Sequence, residues 1–242
     1  MGAVYLVLAL LIAIVCLGII LAVVFIVRHP SRERERPSFK KRLRKQLEEE
    51  TARRKEIAGK EGEAEVANRC KNICRKYGGN CFNSFCFMDD KGYSSEIDHI
   101  LITKGGVFVI ETKNWSGIIS GNSSDYLWKK DKSNSFESTM VKNPLRQNEK
   151  HIIHLKERFP SDPPERTSMV IFTNDDAVVR VKDTCLYHLI PAQFFLAKKI
   201  KEGQYGEDYV KVISEQLESI RQKYGITKEE HRKNIASHHK RK

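Results

Sequence analysis

Two apolar, β-rich runs joined by a Gly-Gly turn, residues 96–113, constrain the fold of this chain more than any other feature. A hairpin centred between residues 104 and 105 would pair the two runs as antiparallel strands. In that register Asp98 lies directly opposite Glu111. Opposed residues share one face of a sheet, with Cβ atoms roughly 5 Å apart. The pattern therefore predicts two like charges side by side, which destabilise a sheet unless a cation lies between them.

Lys113 shares the face of Glu111, because it follows two residues later in the same run. Two carboxylates and an ammonium on one face are the groups that a metal-dependent phosphodiesterase uses. A purely structural alternative exists, since the same register sets Glu96 opposite Lys113. In that alternative Lys113 pairs with Glu96, and Asp98 is solvated at a strand end.

The order of these residues resembles a known family. Asp98 followed by Glu111-Thr112-Lys113 fits the Asp…Glu-x-Lys signature of the PD-(D/E)xK nuclease superfamily. The fuller pattern is similar to one branch, the nuclease-related domain (NERD), over roughly residues 58–175. The matching segments are GKEGE (59–63), EIDHI (96–100), GVFVIETKNWSG (106–117) and NPLRQ (143–147). Asp…Glu-x-Lys alone arises by chance, whereas the ordered set is much more specific.

The resemblance implies a restriction-endonuclease-like fold, with a mixed sheet flanked by helices, and a set of metal ligands. Asp98 and Glu111 would bind Mg²⁺ or Mn²⁺ through carboxylate oxygens, which hard cations prefer. The backbone carbonyl of Thr112 would add a ligand, and Glu63 would reach the metal from the first helix of the domain. The alternative for Glu63 is an ordinary solvent-facing helical carboxylate.

Two further residues receive catalytic roles from the same resemblance. Lys113 would position the attacking water or neutralise the phosphate in the transition state. Gln147 corresponds to a glutamine that orients substrate or catalytic groups, although an amide on a helix surface is the alternative. Asp98 and Glu111 complete the expected catalytic set. Trp128 and Trp115 could stack on bases, but core packing is the favoured interpretation.

The chain carries a formal net charge of +12, which suits a polyanionic partner such as nucleic acid or anionic lipid. Residues 1–27 contain no charged side chain, and basic residues follow at once. This pattern predicts a single membrane-spanning anchor. By the positive-inside rule the N-terminus lies outside and the rest of the chain lies in the cytoplasm. The basic connector would also attract anionic headgroups.

The remaining pattern predicts an α/β chain whose elements alternate. Helices are expected from about residue 38 and over 60–77, 139–159, 191–201 and 207–224, and strands over 82–88, 118–119, 126–128 and 169–173. The predicted organisation is an anchor (1–27), a charged connector (28–58), a nuclease-related domain (59–175), a helical extension (176–226) and a basic disordered tail (227–242).

The leading functional hypothesis is a membrane-anchored, Mg²⁺-dependent nuclease that acts on nucleic acid, with DNA the expected substrate. The alternative is a module that keeps the nuclease fold and binds nucleic acid, or acts as a scaffold at the membrane, without cleavage. A third hypothesis is an adaptor that works through its basic connector. The Asp…Glu-x-Lys residues are all present, which favours catalysis.

Overall fold

The computed structural model describes residues 2–28, 39–132, 137–159 and 166–239. The chain divides into two compact units, Met1–Ala52 and Arg53–Lys242. Helix α1 (Gly2–Arg28) lies in the first unit, and helix α2 (Phe39–Tyr77) begins there. The sheets and the remaining helices all belong to the second unit.

The prediction of a membrane anchor has to be corrected. No helix in the described ranges combines the length and the apolar character that a membrane crossing requires. A span needs about 20 consecutive apolar residues. The prediction of a transmembrane helix over 1–27 is therefore wrong, and so is the single-pass location with an outward N-terminus that depended on it.

Helix α2 joins the predicted connector to the predicted first helix without a break. Ion pairs at i,i+4 spacing line it, including Arg44–Glu48 and Lys60–Glu56, each at 2.9 Å. Such pairs stabilise an exposed helix that has little apolar surface. The later turns bury one side, and Gly78 ends the helix at a φ of 78°.

A five-stranded mixed sheet forms the centre of the second unit. Its strands are β1 (Asn80–Met88), β2 (Ser94–Thr103), β3 (Gly106–Lys113), β7 (Arg166–Phe172) and β9 (Leu186–His188), in the order β1-β2-β3-β7-β9. The first three strands are antiparallel, and β7 and β9 run parallel to β3. The β2–β3 ladder pairs His99 with Ile110 and Thr103 with Gly106, which confirms the predicted hairpin register.

Helices cover both faces of this sheet. Alternate residues of β2 divide between the faces, so Ile100 packs with Leu217 of helix α5 (Glu207–Tyr224), while Leu101 packs with Leu196 of helix α4 (Leu189–Glu202). Helix α3 (Pro144–Lys156) contributes Leu155 to the α5 side, and α2 contributes to the α4 side. The predicted α/β class, a mixed sheet flanked by helices, is confirmed.

A second sheet is formed by four short strands that follow β3 in the sequence. It consists of β4 (Gly117–Ser120), β5 (Leu127–Asp131), β6 (Ser138–Lys142) and β8 (Ala177–Val179), in the order β6-β5-β4-β8. The predicted helix from residue 139 is wrong over 139–142, which belong to β6. Proline at the first helical position starts α3, and the residues before a proline favour extended backbone.

The predicted disorder of the C-terminal tail is also wrong over helix α6 (Lys228–His239), whereas residues 240–242 lie outside the described part. Thr227 and Glu230 form a capping box. The hydroxyl of Thr227 accepts from the Glu230 amide at 3.2 Å, and the Glu230 carboxylate accepts from the Thr227 amide at 2.7 Å. Contacts with β2, such as Asn234 Oδ1 to the Ser94 hydroxyl at 2.9 Å, hold this polar helix in place.

Candidate active site

The ends of β2 and β3 bring Asp98 and Glu111 together. Asp98 accepts a hydrogen bond from the Thr112 amide through Oδ2, at 2.7 Å. Burial and then the charge of Glu111 raise the pKa of Asp98 well above its ordinary value. Lys113 and the Thr112 amide oppose that shift without cancelling it. The two acids therefore interact as the hairpin register predicts, and their repulsion is incompletely compensated.

Glu111 is the most deeply placed of these groups, with only 1% of the residue exposed. Its Oε1 accepts from the Lys113 ammonium, while its Oε2 has no hydrogen-bond partner. Burial raises the pKa of Glu111, and Lys113 counteracts part of this effect. A buried carboxylate oxygen without a donor carries a desolvation cost, so this atom marks a place where a cationic or protonated ligand would stabilise the protein.

Lys113 lies in the interior with its ammonium between Glu111 and Gln147, whose Oε1 it contacts at 3.3 Å. Burial lowers the pKa of Lys113, but the charges of Glu111 and Asp98 outweigh burial and the pKa is raised. The ammonium therefore stays charged. The structural alternative from the sequence, a Lys113–Glu96 pair, does not form, because Glu96 pairs with Lys228 instead.

The Asn-Pro-x-x-Gln segment explains how Gln147 reaches Lys113. Asn143 is the N-cap of α3, and its Oδ1 accepts from the Leu145 amide at 2.9 Å. Its Nδ2 also donates to the carbonyls of Ser123 and Asp125, at 2.8 and 2.7 Å. These bonds fix the start of the helix against the small sheet, so that the first turn presents Gln147 to the β3 end.

Gly62 explains the glycine-rich segment on α2. A Cβ at this position would lie 2.7 Å from the Thr173 hydroxyl and 3.0 Å from the Asn114 Cβ. The absence of a side chain thus lets α2 approach the ends of β3 and β7. Asn114 adds a bond from its Nδ2 to the Ala58 carbonyl at 2.7 Å. This close packing carries the adjacent Glu63 towards the site.

Glu63 is near the acidic pair but is already paired. Its Oε2 contacts Lys228 of α6 at 3.2 Å, and the same ammonium contacts Glu96 at 2.6 Å. The charge of Glu63 nevertheless raises the pKa of both Asp98 and Glu111. The structure therefore brings together all six residues that the sequence singled out, with Glu63 at the margin: Glu63, Asp98, Glu111, Thr112, Lys113 and Gln147.

His151 of α3 also lies beside Glu111, although the sequence did not single it out. The ring is only 13% exposed, and its Nε2 lies 3.7 Å from Glu111 Oε2. Neither ring nitrogen has a hydrogen-bond partner. Burial, and then Lys113, lowers the pKa of His151 to about 4, so the ring is neutral at pH 7. The available signal was its spacing from Gln147, because residues four apart share a helix face.

Lys228 was also missed, since it lies in the segment predicted to be disordered. The Thr-x-x-Glu capping signature at 227–230 was the signal that could have placed a helix there. His99 follows Asp98 on β2 and so lies on the opposite face, where its Nδ1 bonds to Asn83 Oδ1 at 2.7 Å. Trp128 is fully buried, which confirms its core assignment.

The donor set favours a hard cation. Asp98 and Glu111 offer carboxylate oxygens, and the unpartnered Glu111 Oε2 is an oxygen that a divalent cation would satisfy. Within the described ranges, no group of three or more His, Cys, Asp or Glu side chains is arranged to hold a metal ion. Two carboxylates, together with a backbone carbonyl and water, could hold a cation in the way that Mg²⁺ is commonly bound.

Comparison with known proteins extends this description. Residues 58–173 match the family profile of the nuclease-related domain. The chain is also 44% identical over 64 residues to an uncharacterised protein of Bacillus anthracis, an overlap that covers 25% of this chain and 28% of that protein. The matched region is thus less than a third of the relative's length. No solved structure matches significantly.

Proposed function

Residues 58–173 of this chain form a nuclease-related domain, and from that premise we propose that the protein is a metal-dependent nuclease. It would hydrolyse phosphodiester bonds in nucleic acid, with DNA as the expected substrate. The observation that carries the proposal is the buried Glu111 carboxylate, which has one oxygen on Lys113 and the other without a hydrogen-bond donor. An incompletely neutralised acid pair beside a fixed ammonium destabilises the folded protein. Such an arrangement is typical of functional sites.

Asp98, Glu111 and the Thr112 carbonyl are the groups that would hold Mg²⁺ or Mn²⁺. Glu63 would join them if Lys228 released its carboxylate. When bound, such a cation lowers the pKa of a coordinated water and offsets negative charge on the phosphate. The raised pKa values of Asp98 and Glu111 are consistent with acids that lack this counter-charge.

Lys113 would act directly on the substrate. Its ammonium is held by Glu111 and Gln147, so it is oriented before substrate arrives. From this position it would donate to a non-bridging phosphate oxygen and stabilise the charge that develops there. The Gln147 carbonyl would keep the ammonium in place, and the neutral His151 ring would keep water away from the inner side of Glu111.

The alternative is a module that binds nucleic acid without cutting it. Two observations favour it. The Lys113 ammonium already neutralises one Glu111 oxygen, and Lys228 already neutralises Glu63 and Glu96. Acids that already have an internal cationic partner have less need of a metal ion.

A cleavage assay on the full-length protein separates the two functions. Plasmid and oligonucleotide substrates are incubated with Mg²⁺, Mn²⁺ or a chelator. We expect metal-dependent cleavage that falls at least about 100-fold in Glu111→Gln, the scale seen when one group of a catalytic centre is removed. Glu149→Gln, an exposed acid on the same α3 helix as Gln147, is the matched control and should leave the rate unchanged.

Metal binding has its own measurement, because a ligand that binds only the folded state raises its stability. At 100 times the dissociation constant the gain is about 2.7 kcal/mol. Millimolar Mg²⁺ or Mn²⁺ should raise the Tm of the wild-type protein, and Asp98→Asn should reduce that gain. A wild-type protein that binds nucleic acid, shows no metal response and cuts nothing would establish the binding module instead.

A further inference from the structure

Trp115 links the candidate active site to a second lysine. The Lys113 ammonium lies 5.6 Å from the centroid of the Trp115 ring, and the Lys130 ammonium lies 5.9 Å from the same centroid. The indole is partly exposed, and it packs edge-on against Phe172 at 6.1 Å between centroids. A ring that is anchored in the core and holds two cations fixes the position of both.

Lys130 lies on β5, opposite Ile119 of β4, and is half-buried. Among the described residues, no carboxylate lies within ion-pairing distance of its ammonium. Its charged neighbours are cations, because burial lowers the pKa of Lys130 and the charges of Lys55 and Lys132 lower it further. Lys132 has Glu137 as a partner, so the half-buried charge without a carboxylate partner among the described residues is that of Lys130.

Half-buried cations without counter-charges destabilise the folded protein, just as unpaired acids do. They are expected where an anionic ligand supplies the missing charge. Lys130 shares its aromatic neighbour with Lys113, so a ligand on Lys130 also reaches the end of β3. A backbone of successive phosphates satisfies several such cations at once, and the exposed part of an indole suits a sugar or base.

We propose that Lys130, held beside Trp115, binds the phosphodiester backbone of the substrate strand next to the bond at Lys113. The inference rests on the proposed nuclease function and deepens it, since it assigns a second phosphate position and a direction of approach. The strand would cross from the β3 end towards the small sheet.

The salt dependence of binding tests the proposed phosphate contact of Lys130 directly. Each phosphate contact contributes about 0.9 to the slope of log affinity against log salt for duplex DNA, and about 0.7 for a single strand. Binding of a labelled oligonucleotide to the full-length protein is measured in chelator, where no cleavage occurs. Lys130→Gln should lower the slope by about one contact and weaken binding several-fold at low salt.

Lys129→Gln is the matched control. Lys129 neighbours Lys130 on β5 but points to the other face, and it pairs with Asp131 at 2.9 Å. The same charge is removed without the proposed contact, so its slope should match the wild type. Equal changes in both variants would show only a general effect of net charge and would overturn the inference, as would no change in either. Unfolding curves of both variants are measured to check that they are folded.

Tryptophan fluorescence tests whether the bound strand lies beside Trp115. The chain has 2 tryptophans, and Trp128 is fully buried, so an emission change on binding reports chiefly on Trp115. We expect such a change in the wild type and its loss in Trp115→Leu. Wild-type binding with unchanged emission would place the strand elsewhere.

Cleavage and binding measurements together distinguish this inference from the proposed nuclease function on which it rests. If the wild type cuts but Lys130→Gln binds and cuts as well as wild type, the inference fails and the nuclease remains. If the wild type cuts nothing but binds through Lys130, the nuclease proposal fails and the strand-binding surface remains. If the wild type does not bind nucleic acid, both fail.

Discussion

Two side-chain clusters in this protein have the same composition but a different arrangement of their charges. Each contains two carboxylates, one lysine and one histidine. The inner cluster is Asp98, Glu111, Lys113 and His151, and the outer cluster is Glu63, Glu96, Lys228 and His231. The comparison shows that the chemistry of such a group depends on where its lysine lies.

In the outer cluster the lysine lies between the acids. Lys228 contacts Glu63 at 3.2 Å and Glu96 at 2.6 Å, and its side chain is 36% exposed. Burial lowers the pKa of Lys228, but the two carboxylates outweigh burial and raise it. His231 adds its Nε2 at 3.8 Å from Glu96. The one ammonium thus lies between both acids, and its side chain is partly hydrated, which is how a structural ion pair is stabilised.

In the inner cluster the lysine forms an ion pair with one acid and not with the other. Lys113 bonds to Glu111 and Gln147, while Asp98 has only the Thr112 amide. Both acids have raised pKa values, and one Glu111 oxygen has no hydrogen-bond partner. Unmatched charge held in place by packing is a feature of functional sites rather than of structural pairs. The predictions below test that distinction, from the largest effect to the smallest.

The largest expected difference is in cleavage. Lys113→Ala removes the ammonium that contacts the substrate in the proposed mechanism, so we expect a loss of about 100-fold or more. Lys228→Ala removes a lysine of the outer cluster and should leave the cleavage rate within a few-fold of wild type. Initial rates at saturating metal measure both. Similar losses in the two variants would mean that the clusters form one functional unit.

The next effect is on stability and tests how α2 is held near both clusters. Gly62→Ala should destabilise the protein by about 1–3 kcal/mol, because the new Cβ would overlap Thr173 and Asn114. Gly59→Ala on the same helix meets nothing within 4 Å and should be neutral or slightly stabilising. Denaturant unfolding measures both variants. A neutral Gly62→Ala would show that α2 can move away without loss, and the position of Glu63 would then be incidental.

The smallest effect is the pH dependence of the inner acids. The folded-state pKa of Asp98 is raised, so its charge destabilises the folded protein once the pH exceeds the unfolded-state pKa of about 4. In chelator, Asp98→Asn should therefore be more stable than wild type at pH 7. The gain should shrink as the pH falls and vanish below about pH 4.

Glu96→Gln serves as the comparison from the outer cluster, because it removes a paired acid. It should be destabilising at pH 7, by up to about 1 kcal/mol for a partly exposed pair. Unfolding free energies across the pH range give both curves. A loss of stability in Asp98→Asn at pH 7 would mean that Asp98 is a structural acid like Glu96.

The local signals in the sequence were sufficient for the central hairpin. Two apolar runs and the two-residue turn between them predicted the β2–β3 register, and the structure has that register. Asn143 and Pro144 marked the start of a helix, yet the prediction began the helix too early because β6 is short and largely exposed. The strands β8 and β9 have three residues each, too few for a periodic pattern to be visible.

Which acids and which lysine face one another across β2 and β3 follows from the sequence, because the length of the turn between two apolar runs fixes the register of a hairpin. Which of these groups are neutralised depends on contacts between distant segments. Helix α6 brings Lys228 to Glu63 and Glu96, and α3 brings Gln147 and His151 to Lys113 and Glu111. These contacts join segments far apart in the chain, and burial then sets the pKa of each group, which no local pattern encodes.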